Sequence, residues 1–154
     1  MTDNAAFYRW SKFQNGIGSV ALVSLEVEQS PSGTNQILEH YNGEEFTSQG
    51  NLEEVSQNGY DSWKIAARHG LEYGFSLIDT YWTVHIHKIR GLSTDANPTI
   101  VGYTVLRAFF DKINYQLTDP QIEKLENFVM SSWTKPYKEL IPNFFTLTFT
   151  AFGG

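Results

Sequence analysis

The chain has 154 residues and no cysteine, a length typical of one domain (residues 1–154) and a composition that excludes disulfide frameworks, thiolate metal sites and cysteine nucleophiles. Charged residues make up 18% of the chain, aromatic residues 15%, and the net charge is −6. This is the opposite of the basic excess that marks nucleic-acid binders, so we expect no DNA partner. No apolar run approaches the roughly 18 residues that a membrane helix needs, and the N-terminus lacks a signal-peptide pattern, so we expect a cytoplasmic protein without a membrane partner.

The first part of the chain has the pattern of three β-strands. Residues 5–13 and 20–28 alternate in polarity on either side of a glycine-containing turn at residues 14–18, which predicts a β-hairpin. Residues 35–46 predict a third, less regular strand. The polar residues 47–57 predict a loop.

A helix is predicted over residues 58–77, because apolar residues recur there at helical spacing. Ala66, Gly70 and Gly74 are four residues apart and therefore share one face of this helix. A glycine inside a helix costs about 1 kcal/mol relative to alanine. We therefore expect the small-residue face to lie close to the sheet, where a larger side chain would not fit.

Residues 81–90 form the clearest predicted strand, because polar and apolar side chains alternate along it. One face carries Trp82, Val84 and Ile86. The other face carries Tyr81, Thr83, His85, His87 and Ile89.

Two more helices and a strand complete the pattern. Residues 98–113 predict a helix that begins at a proline, and a second helix begins at Thr118, where Gln121 completes a capping box. Residues 143–152 alternate large apolar residues with threonine and predict a final strand. Since strands come first and helices follow, the sequence predicts an α+β fold with two layers, a mainly antiparallel sheet and helices on one of its faces.

Four features follow one another in order along the chain: FQNGIGSVALVSLEVE at residues 13–28, AARHGLEYGF at 66–75, YWTVHIHKIRG at 81–91, and Asp95 followed by Ala108-Phe109. They resemble the opening hairpin, the glycine-containing helix, the central strand and the aspartate and Ala-Phe pair of domain IV of translation elongation factor G. The resemblance covers residues 5–115. It implies a βββαβα core with a left-handed split β-α-β crossover, to which residues 116–154 add a helix and a strand.

The resemblance also implies the ribosome as a partner, because the tip loops of that domain enter the decoding region. The chain has no G-x-x-x-x-G-K-[ST] phosphate loop, so it is not a GTPase. Ile17 stands where the family's turn carries a basic residue, and the nearby cations are Lys12, Lys88 and Arg90. So few cations supply little of the charge neutralisation on which RNA affinity depends.

Two histidines are candidate metal ligands. His85 and His87 are two residues apart on a predicted strand and therefore face the same side, a spacing that suits zinc, copper or iron. The remaining ligands would come from His40, Glu26, Glu28 or Glu39. The alternative is a polar surface of histidine, threonine and tyrosine on the open face of the sheet. No nucleophile–base pattern accompanies these residues, so we predict no catalytic residue and no cofactor.

Aromatic residues exceed what one small core requires, which suggests an exposed patch that binds a protein partner or a second copy of the chain. We expect this interface at Tyr81, Thr83, Phe145 and Phe149. Alternatively, the C-terminal extension covers the open face of the sheet and completes the core.

These features together predict a non-catalytic binding domain that resembles elongation factor G domain IV and is either translation-associated or self-associating. Two alternatives stay open. One is a histidine-based metal enzyme or metal sensor. The other is an acidic immunity or inhibitor protein that binds a basic toxin.

Overall fold

The computed structural model describes residues 7–43, 45–46, 52–92, 94–134 and 136–151. Residues 5–6, 44, 47–51 and 152, which belong to the predicted strands and the predicted loop, lie outside these ranges. In chain order the elements are β1 (Tyr8–Gln14), β2 (Ile17–Gln29), β3 (Gln36–Glu39), β4 (Glu45–Phe46), β5 (Glu53–Glu54), α1 (Asp61–Ser76), β6 (Trp82–Gly91), α2 (Pro98–Lys112), α3 (Asp119–Ser131), a 3₁₀ helix (Tyr137–Glu139), β7 (Ile141–Asn143) and β8 (Thr148–Thr150).

β6 is the centre of the main sheet and has neighbours on both edges. β2 pairs antiparallel with one edge, and β1 pairs antiparallel with β2 beyond it. On the other edge, β3 runs parallel to the first half of β6, while β5 pairs antiparallel with its end and β4 follows β5. The α+β fold class with a mainly antiparallel sheet is confirmed.

The connection from β3 to β6 differs in two details from the sequence-based expectation. β5 lies inside residues 47–57, which were expected to form only a loop. β3 and β6 are direct neighbours in the sheet. In a split β-α-β unit another strand lies between the two parallel strands, so this strand order differs from the one that the resemblance implies.

The predicted first hairpin is confirmed. β1 and β2 are joined through Asn15 and Gly16, whose φ values are 55° and 77°. Two successive positive φ values belong to the tight turn whose twist matches that of paired strands. A short polar residue and a glycine adopt this conformation at little cost, which is why the local sequence predicts the turn.

A β-bulge interrupts the alternation of β6. Ser24 of β2 lies opposite Lys88, and the next residue of β2, Leu25, lies opposite Ile86, so that His87 has no counterpart on β2. One extra residue shifts every later side chain to the other face of the sheet. Ile89 is therefore fully buried on the helix side, and the expectation that it shares a face with His85 is wrong.

The small-residue face of α1 packs against α2 rather than against the sheet. A Cβ atom on Gly70 would overlap the carbonyl oxygen of Gly102 in α2. A Cβ atom on Gly74 would lie 3.0 Å from Leu106 and 3.2 Å from Phe109, both also in α2. The expectation that this face lies on the sheet is wrong, because the helix layer contains two helices that cross closely at their glycines.

The C-terminal segment forms a helix and a small hairpin. The predicted capping box of α3 is confirmed: Thr118 Oγ1 accepts a hydrogen bond from the Gln121 amide, and the Gln121 side chain accepts one from the Thr118 amide. The predicted final strand is instead the hairpin β7–β8. Asn143 Oδ1 accepts hydrogen bonds from the backbone amides of Phe145 and Thr146, at 2.9 Å and 3.1 Å, and bends the chain there.

The core lies between the sheet and α2, which is buried on almost every side. α2 contacts β1 and β2, α1, α3 and β7. Its largest buried side chains are Ile100, Tyr103, Leu106, Phe109 and Phe110. Across the described ranges no helix is both long and apolar enough to cross a membrane.

Candidate functional site: a histidine cluster on the open face

The open face is the face of the sheet opposite to the helices. The C-terminal hairpin contacts α1 and α2, and α3 contacts α2, so both pack on the helix side. The alternative that the C-terminal extension covers the open face is therefore wrong for the residues described. Glu26 and Glu28 of β2 are exposed on the open face.

Three of the four histidines of the chain meet on the open face. His85 and His87 come from β6, and His40 directly follows β3, where its backbone amide donates to the carbonyl oxygen of Ile86 over 2.9 Å. The ring of His40 lies 5.1 Å from each of the other two rings, which are 5.9 Å apart. The angles between the ring planes are 18°, 21° and 7°. We refer to His40, His85 and His87 as the histidine cluster.

Hydrogen bonds order the protons of the cluster. Nε2 of His85 lies 3.1 Å from Glu28 Oε2, and Nδ1 of the same ring lies 2.9 Å from Nε2 of His40. An ionised carboxylate only accepts hydrogen bonds, so His85 donates from Nε2, and in its neutral form the ring then accepts at Nδ1. In that form the proton between the two rings lies on Nε2 of His40.

The third histidine, His87, is hydrogen-bonded to a different glutamate. Nε2 of His87 lies 3.0 Å from Glu26 Oε1. This hydrogen bond holds the pKa of Glu26 below its usual range. Nδ1 of His87 makes no hydrogen bond within the described part of the chain. The cluster therefore has two histidines hydrogen-bonded to glutamates, and the Nδ1 atoms of His40 and His87 have no hydrogen-bond partner among the described residues.

The structure separates Glu39 from the other predicted ligands. Glu39 precedes His40 and faces the opposite side of the sheet, where both of its oxygens accept from Nη1 of Arg68 in α1 at 2.9 Å and 3.1 Å. The remaining histidine, His69, lies 3.0 Å from the carbonyl oxygen of Pro142 through Nδ1. As they stand, no three histidine, aspartate or glutamate side chains in the described ranges are placed to hold one metal ion. The metal site at His85 and His87 stays a prediction.

The four residues of the predicted interface lie in two separate places. Tyr81 directly precedes β6 and is 47% exposed, and Thr83 lies at the start of β6 and is 8% exposed. Phe145 is 59% exposed, and its ring packs edge-on to Tyr73 of α1 at 5.3 Å.

The fourth interface residue is also on the helix side. The ring of Phe149 stacks on Phe128 at 4.7 Å and on Tyr137 at 4.6 Å. The helix layer therefore lies between the two halves of the predicted interface, and the four residues do not form one surface. The interface at these positions stays a prediction.

Sequence reasoning missed a second polar cluster, which lies between β1, α2 and α3. Glu126 of α3 accepts hydrogen bonds from Trp10, Lys12, Tyr103 and Arg107 over 2.9–3.2 Å. The position of Arg107 four residues after Tyr103 in α2 was the one local signal. Because Glu126 links α3 to β1 and α2, we interpret this cluster as structural.

The chain matches no model of a known protein family, and no curated protein matches it.

Proposed function

We propose that the chain is a non-catalytic, cytoplasmic binding domain that uses its open face to bind another protein, in the simplest case a second copy of itself. One observation carries this proposal. All three helices and the C-terminal hairpin lie on the same side of the sheet, and the other side holds the histidine cluster, two exposed glutamates and exposed Leu38. A sheet face that carries ordered polar side chains beside an exposed leucine has the mixed character of a protein interface.

The solution mass tests self-association, and two variants locate the interface. Leu38→Lys places a charge beside the histidine cluster, while Phe145→Lys places the same charge on the C-terminal hairpin. Light scattering should give a dimer for the wild type and for Phe145→Lys, and a monomer for Leu38→Lys. A wild-type monomer up to the highest soluble concentration would reject self-association. A dimer broken only by Phe145→Lys would move the interface to the hairpin.

The resemblance to elongation factor G domain IV supports a role in translation, and the net charge of −6 opposes direct binding to RNA. If the domain acts on the ribosome, a ribosomal protein is a more suitable contact for this acidic chain than ribosomal RNA. Co-sedimentation with ribosomes at low and high salt tests this part of the proposal. The domain should pellet with ribosomes under at least one condition, and its absence from the pellet under both would end the link to translation.

A further inference from the structure

We infer that the histidine cluster is a binding site for a transition-metal ion such as Zn²⁺, and that the metal ion takes the place of the hydrogen bond between His40 and His85. The inference does not rest on the proposed protein-binding function, because it concerns the isolated chain. The structure is then the metal-free form of the site, in which the three rings stack instead of surrounding an ion.

The distance between the first two ligands supports this exchange. Nε2 of His40 and Nδ1 of His85 point at each other across 2.9 Å. Two imidazole nitrogens that bind one tetrahedral Zn²⁺ at about 2.0–2.1 Å lie about 3.3 Å apart. A separation of about 0.4 Å more would let the ion enter between the two nitrogens. When Zn²⁺ binds Nε2 of neutral His40, the proton of that ring moves to Nδ1, so the ring stays a neutral imidazole and no net proton is released.

Glu26 and Glu28 of β2 are placed like the carboxylates that usually accept a hydrogen bond from the histidine ligands of a metal site. A histidine that binds a metal through one nitrogen usually donates its other N–H to a carboxylate, which fixes the orientation of the ring. Glu28 accepts from Nε2 of His85 and Glu26 from Nε2 of His87. Both bonds leave Nδ1 of the histidine as the nitrogen for a metal ion.

His87 supplies the third ligand by a rotation of its side chain. Its Nδ1 has no hydrogen-bond partner among the described residues, and its ring lies 5.1 Å from that of His40. Since His87 is partly exposed on the bulge of β6, its ring can turn without breaking core contacts. Three imidazoles leave a fourth position of the ion for water or for a side chain of a partner.

Titration calorimetry with ZnCl₂ on metal-free protein without an affinity tag tests the inference. We expect saturable binding of one ion per chain. His40→Ala and His85→Ala should each weaken binding at least about tenfold, while His69→Ala, which removes the histidine outside the cluster, should bind like the wild type. Absence of one-to-one binding would overturn the inference, and so would an equal loss in His69→Ala.

A second pair of variants separates an oriented site from scattered surface histidines. Glu28→Gln should weaken Zn²⁺ binding by about 10–100-fold, because it removes the acceptor that orients His85. Glu39→Gln, on the other face of the sheet, is the matched control and should bind normally. Circular dichroism checks that both variants fold. Equal affinity of the two variants would show that Glu28 orients nothing and would overturn the oriented site.

Discussion

Thr99 and Thr104 are both fully buried in α2, but only one of them has a partner for its hydroxyl group. Thr104 Oγ1 donates to the carbonyl oxygen of Ile100 over 2.7 Å. Thr99 Oγ1 has no hydrogen-bond partner within the described ranges. A buried polar atom without a partner has lost its hydrogen bonds to water and gained nothing in exchange.

Valine has nearly the shape of threonine but no hydroxyl group, so a change from threonine to valine measures what the hydroxyl group contributes to stability at each position. We expect Thr99→Val to raise the free energy of unfolding by about 1 kcal/mol, and Thr104→Val to lower it by about 1 kcal/mol. Urea unfolding of the two variants measures the difference. Equal effects of the two changes would mean that Thr99 Oγ1 has a partner after all.

At the scale of elements, α1 and α2 cross closely at Gly70 and Gly74 of α1, and the two positions differ in how well they tolerate alanine. Gly70→Ala would place its Cβ atom against backbone of Gly102, and the helices would have to move apart. We expect it to lower the free energy of unfolding by about 2–3 kcal/mol. Gly74→Ala would meet the ends of the Leu106 and Phe109 side chains, which can shift, and its better helix propensity offsets the crowding. Its effect should stay within about 1 kcal/mol in thermal or urea unfolding.

The attachment of α3 depends on Glu126. Removing its carboxylate leaves Tyr103 and Arg107 without their shared acceptor in a region that is mostly shielded from water. Glu126→Ala should therefore lower the free energy of unfolding by about 2–4 kcal/mol. Glu123→Ala, at an exposed position of the same helix, should change it by no more than about 0.5 kcal/mol. If the two variants unfold at the same urea concentration, Glu126 does not hold α3 in place.

Elements whose signals are local could be predicted from the sequence, and those set by distant partners could not. The turn at Asn15 and Gly16 and the cap at Thr118 depend on neighbouring residues, and both are confirmed. The place of His40 depends on parallel pairing of β3 with β6, which is distant in the chain. From the sequence, His85 and His87 are predicted to share a face of the sheet. His40 is only one of several candidates for the remaining ligands.

At the scale of the whole molecule, Phe144 connects the C-terminal hairpin to the main core. Phe144 is 2% exposed; its ring contacts Gly102 and lies 5.8 Å from the ring of Phe128. Phe144→Ala would leave a cavity between α2 and α3 and should lower the free energy of unfolding by about 3–5 kcal/mol. Phe145→Ala, at the next position and 59% exposed, should cost about 1 kcal/mol or less.

Calorimetry of the Phe144→Ala variant also tests the prediction of a single domain. One cooperative transition that moves to lower temperature is expected, because the hairpin and the sheet share one core. Two separate transitions would mean that the C-terminal segment unfolds by itself.

The apolar residues of β6 alternate in one register before His87 and in the other register after it, and the bulge at His87 brings both sets to the same face of the sheet. Val84 and Ile86 are in phase with each other, and Ile89 is out of phase with both. If all residues of β6 paired without a bulge, the core face would continue through Lys88 and Arg90, and two cations would replace Ile89 against the helices. The bulge thus keeps charge out of the core and at the same time adds the third imidazole to the open face. In evolutionary terms, deletion of His87 would leave Val84, Ile86 and Ile89 in regular alternation, so the strand would keep its core phase without a bulge and would lose only a residue of the histidine cluster.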